Sequence, residues 1–143
     1  MKPGVASLAV TLMLATSAFA ATPKAMSVDD SANFLINPAT AEKIWKENTP
    51  ARVSKLYPTR KFRFVSEVTG GFNEGKTCVV TARAMLLPVL LLPVQGSKVV
   101  YAPIKAATAF DAVPGLSREQ CQSLARAKLK EAVQSIAAAL AAS

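Results

Sequence analysis

Lys61 to Ala84 reads KFRFVSEVTGGFNEGKTCVVTARA, and the spacing inside it decides the fold. Phe62, Phe64, Val68 and Phe72 take even positions while Lys61, Arg63, Glu67 and Thr69 take odd ones, the period of a strand with one buried face. Gly70-Gly71 is read as a bend or a bulge near the strand's end. Asn73-Glu74-Gly75-Lys76 is turn chemistry. Beyond it Cys78, Val80, Ala82 and Ala84 share one side, with Thr77, Thr81 and Arg83 on the other, so an antiparallel hairpin is expected.

The hairpin needs a cover, and the C-terminal segment supplies one. Ser117-Arg118-Glu119-Gln120 has the form of a capping box, in which the serine hydroxyl accepts from the Gln120 amide and the Gln120 side chain reaches back. Cys121, Leu124, Ala125, Leu129, Ala132, Val133, Ile136 and Leu140 then recur three and four apart, the apolar stripe of a long helix. Arg118, Gln122, Arg126, Lys130 and Gln134 fall on the opposite side and read as a solvated face. Cys78 lies on the apolar side of its strand and Cys121 on the apolar stripe of the helix, so a bridge between them pins helix to sheet.

Upstream, Asn37 caps and Pro38 opens a helix with Ala41, Ile44 and Trp45 on one stripe. Thr49-Pro50 repeats the start signal for a second short helix with Val53, Leu56 and Tyr57, ended by Pro58. Met85 to Val94 (MLLPVLLLPV) is almost wholly apolar and is broken by Pro88 and Pro93, which bars a regular central strand throughout. Lys98 to Ile104 reads as a third strand, and residues 105–116 as a loop of small residues. The expected fold class is α+β, a two-layer sandwich. Its three antiparallel strands (61–72, 77–92 and 98–104) carry the short N-terminal helices and the long C-terminal helix on one face.

Met1-Lys2, the apolar stretch Val5 to Ala15 and the small-x-small triplet Ala18-Phe19-Ala20 have the form of an export signal cleaved after Ala20. The apolar stretch is about 11 residues where a spanning helix needs roughly 20. The expected organisation is a signal peptide over 1–20, a flexible mature N-terminus over 21–36 and a single α+β domain over 37–143, delivered to the periplasm. In that oxidising compartment the two cysteines, Cys78 and Cys121, admit one intramolecular pairing.

Composition narrows the function classes. The chain has 143 residues, 17 Lys and Arg against 9 Asp and Glu, and no histidine. The usual general base and commonest metal ligand are therefore missing. With the cysteines paired, acyl transfer by a His-activated serine or thiol is excluded. Ser54-Lys55 and Ser97-Lys98 are adjacent pairs whose side chains diverge on a helix or strand. No catalytic residue, metal site or cofactor is read from the sequence.

Two surfaces stand out instead. Lys43, Lys46, Arg52, Lys55, Arg60, Lys61 and Arg63 form a basic stretch opposed by only Glu42 and Glu47, suited to an anionic partner or to plain solvation. Leu86, Leu87, Val89, Leu90, Leu91 and Leu92 form an apolar segment, suited to the interior or to docking on a partner or a second copy. Export argues against nucleic acid as the anion. The first expectation is a non-enzymatic periplasmic binding or accessory protein engaging another envelope protein, in one form an inhibitor or immunity protein reaching its target through loop 73–76 or 105–116. The alternative is binding of anionic envelope lipid or polysaccharide, and a further one is an enzyme with His-free chemistry.

Overall fold

The computed structural model describes residues 26–29, 31–89 and 102–143. In chain order these form β1 (Ser27–Asp29), α1 (Pro38–Asn48), α2 (Ala51–Leu56), β2 (Phe62–Phe72), β3 (Thr77–Pro88), β4 (Lys105–Pro114) and α3 (Arg118–Ala141). The strands make one sheet in the order β1-β2-β3-β4. The α+β class and the long C-terminal helix are as expected.

The sheet differs from the expected one in two ways: it has four strands and it is mixed. The last strand occupies 105–114, a stretch expected to be a loop; of the expected 98–104 strand, 102–104 are not in a strand and 98–101 lie outside the described residues. The reason is packing. Ala107 and Ala109 of β4 point toward α3, where small side chains let the helix backbone come close, and alanine raises no alternating hydrophobic signal. The added strand, β1, pairs parallel to β2 with Val28 opposite Val65. Three residues are too few to show a period.

β2 and β3 pair without interruption from Phe62–Pro88 to Phe72–Cys78. Of the bend or bulge expected at Gly70-Gly71 the bulge is absent, and both glycines stay in register. Their φ angles are +125° and +140°, and a Cβ on Gly70 would stand 2.0 Å from the Val79 carbonyl oxygen. Glycine is needed here for close cross-strand approach. Gly70→Ala is expected to lower unfolding free energy by about 2–3 kcal/mol, against under about 0.5 kcal/mol for the unstrained Gly75→Ala. Urea unfolding midpoints of the two variants would check this difference.

The core lies between the sheet and the helices. Phe64, Val68, Cys78, Val80, Ala82, Ala84 and Leu86 present one sheet face to Cys121, Ala125, Leu129, Ala132, Val133, Ile136 and Leu140 of α3. The capping box forms as expected: the Gln120 amide donates to Ser117 Oγ at 3.2 Å and the Ser117 amide to Gln120 Oε1 at 2.7 Å. Cys78 and Cys121 are disulfide-bonded with Cα atoms 5.8 Å apart.

At the other end of the core, Asn37 Oδ1 caps α1 by accepting from the Thr40 amide. The helix turns Trp45, fully buried, onto Phe64 with ring centroids 5.1 Å apart. Trp45 Nε1 donates to the buried Ser66 Oγ at 2.7 Å, so each partner satisfies the other's polar group in the interior.

A candidate binding groove between α1 and α3

The stripe Gln122, Arg126, Lys130, Gln134 recurs every four residues on α3; with Arg118 it forms the expected solvated face, only Gln122 being half-buried, and this face borders α1. At one end Gln122 Nε2 donates to the Phe34 carbonyl at 2.7 Å; at the other Gln134 Nε2 donates to Asn48 Oδ1 at 2.9 Å. These two bonds hold the helices side by side and running in the same direction. Asn48 itself is steadied by donating from Nδ2 to the Ile44 carbonyl.

Between the glutamine clamps lies a groove of about 270 Å³ lined by Thr40, Lys43, Ile44, Glu47, Arg126, Ala127 and Lys130. Ile44 and Ala127 give it an apolar component, and three cations and one carboxylate ring it. Glu47 is matched by Lys43 on its own helix at 3.7 Å. Among the described residues no acid lies within ion-pair distance of Arg126 or Lys130. The two helices thus leave a net positive rim, and an anion entering it would replace water and not an existing protein carboxylate.

The basic stretch read from the sequence lies at the surface, with Arg63 half-buried, and only part of it borders the groove. Lys43 lines the groove. Lys46 bonds Glu42 at 2.9 Å, and this hydrogen bond holds the Glu42 carboxyl below its ordinary pKa. The half-buried Arg63 donates from its guanidinium to the Thr59 carbonyl. Arg52, Lys55, Arg60 and Lys61 are exposed outside the groove. Arg126 and Lys130 were missed as site residues because their spacing matches any solvated helix face.

The apolar segment also divides. Leu86 is wholly buried beneath α3, and Leu87 and Val89 are half-buried. Leu90, Leu91 and Leu92 lie outside the described residues. Of the two expected inhibitor loops, 73–76 is the tight β2–β3 turn, closed by the Thr77 amide on Asn73 Oδ1, while most of 105–116 is strand.

Among the described residues no three His, Cys, Asp or Glu side chains gather as a metal site, and no helix is long and apolar enough to cross a membrane. Asp29, expected in a mobile tail, is instead held in β1, where its Oδ1 accepts from Ser31 Oγ at 2.5 Å. Compared with protein-family models, with curated proteins and with solved structures, the chain matches none.

Proposed function

We propose that the chain is an exported, non-catalytic binding protein that engages another envelope protein through the α1–α3 groove, an inhibitor or immunity protein being its most specific form. The observation that carries this reading is the pairing of an apolar floor with the unmatched cations Arg126 and Lys130. Apolar contact supplies affinity while the rim charges select an acidic or amphipathic segment and speed its approach. The fully buried disulfide supports an oxidising address, in keeping with the signal-like residues 1–20. With no histidine in the chain and both cysteines bonded to each other, the groove is better suited to holding a partner than to transforming one.

The test is capture from envelope extract by the wild-type chain and by Arg126→Glu/Lys130→Glu, with thermal unfolding confirming that both are folded. A stoichiometric protein partner held by the wild type should bind the variant about tenfold or more weakly. A partner retained equally by both removes the groove from the reading.

The exposed Arg52, Lys55, Arg60 and Lys61 favour a second reading, adsorption to anionic lipid or polysaccharide. It predicts binding to phosphatidylglycerol vesicles that falls steeply with salt and is abolished by Lys55→Glu/Arg60→Glu. A groove-bound protein would instead survive moderate salt.

A further inference from the structure

The two edges of the sheet are finished differently. On the β1 side, β2 is covered by β1 and then by two hydrogen bonds: the Ala32 amide donates to the Val68 carbonyl, and the Val68 amide donates to Ser31 Oγ. On the other side β4 runs for ten residues with an unbroken register to β3, and among the described residues no strand pairs with its outer edge. It has neither a bulge nor an internal proline, and its charges sit at Lys105 and Asp111. Such an edge invites another strand.

The pairing pattern shows which amides are free. Gly115 N–H donates to the Lys76 carbonyl in the register that continues β3–β4. By the alternation of an antiparallel ladder, the odd residues of β4 therefore bond β3, and the even ones turn their backbone groups outward. The outward amide of Ala112 is taken by Asp111 Oδ1 at 2.9 Å, and at the other end the Ile104 amide turns inward to the Leu86 carbonyl. Among the described residues three outward amides have no partner, those of Ala106, Thr108 and Phe110, centred on Thr108.

We propose that the chain forms a symmetric dimer in which β4 pairs antiparallel with β4 of a second copy, the two-fold axis passing through Thr108. This register is the one that uses all three outward amides of each strand. It places Thr108 opposite Thr108 and Ala106 opposite the second copy's Phe110. Independently, it sets Lys105 opposite the second copy's Asp111, twice, on the face that carries α3. In that position Lys105 joins Lys128, which already lies 3.5 Å from Asp111. On the other face the Phe110 ring, 61% exposed in the single chain, lies over the small Ala106 of its neighbour. Opposite charges and a large ring against a small residue are the cross-strand pairs that stabilise a sheet. The occupant is therefore a second copy, and the assembly is a continuous eight-stranded sheet with both α3 helices on one side.

Sedimentation equilibrium of the disulfide-bonded chain should give twice the monomer mass. Thr108→Pro removes an amide that bonds nothing among the described residues, so the variant should fold. It should also dimerise about 30-fold or more weakly, since two axial hydrogen bonds are lost. Cysteine replacements fix the register. Thr108→Cys should cross-link to itself, because hydrogen-bonded antiparallel pairs lie about 5.5 Å apart at Cα. Ala106→Cys and Phe110→Cys should cross-link when mixed and not when alone. A chain that stays monomeric at every concentration, a dimer indifferent to Thr108→Pro, or cross-links of residue 106 or 110 to itself would each overturn the proposal.

Discussion

Replacing both cysteines, Cys78→Ala/Cys121→Ala, will lower the unfolding free energy by about 4 kcal/mol and the melting temperature by about 15 °C. The bridge spans 43 residues of sequence, and in the chain-entropy view its loss returns that loop's freedom to the unfolded state. The loop contains part of β3, all of β4 and the start of α3, so the bridge joins the sheet to the helix that covers it. Both cysteines are buried, at 0% and 1% exposure, and alanine keeps the site apolar while removing the covalent tie. Urea unfolding of the oxidised wild type and the double variant measures the difference. A change under about 1 kcal/mol would mean that core packing alone sets the helix on the sheet.

Trp45→Ala will cost about 4 kcal/mol, a comparable effect with a different origin. The indole is fully buried, rests against Phe64 and is the only hydrogen-bond partner found for Ser66 Oγ among the described residues. Removing it opens a cavity between α1 and β2 and leaves a buried hydroxyl unpaired. Ser66→Ala separates the two contributions, because it keeps the ring and orphans only the indole N–H, at about 1–3 kcal/mol. Equal losses in the two variants would show that the polar bond, not the volume of the ring, anchors α1. Since α1 forms one wall of the groove, both variants should also weaken partner capture beyond their effect on folding.

The parts of the fold that were legible in the sequence are those with a strong local signal. Alternation marked β2 and β3 to within a few residues because their faces are chemically unlike. The Ser117–Gln120 capping box fixed the start of α3, and Asn37-Pro38 the start of α1, because a helix's orphan amides must be met locally. β4 was not legible: Ala106, Ala107, Ala109 and Ala112 carry no contrast between faces, and their strand conformation depends on β3 and α3 lying beside them.

The groove was less legible than the fold. Of its three cations only Lys43 stood out in the sequence, as one of a run. Arg126 and Lys130 became a site only when Gln122 and Gln134 found Phe34 and Asn48, 88 and 86 residues away. A side chain on a polar helix face is identical in sequence whether it meets water or a neighbouring helix.

The sequence by itself determined the α+β class, the hairpin, the long capped helix and the identity of the disulfide pair, because each follows from local periodicity, capping chemistry or simple elimination. It took the folded chain to show that β1 and β4 flank the sheet, that no strand among the described residues pairs with the outer side of β4, and that two helices separated by more than sixty residues enclose a cationic groove. These are matters of long-range packing, settled by what each surface meets after collapse and not by the residues that precede and follow it in the chain.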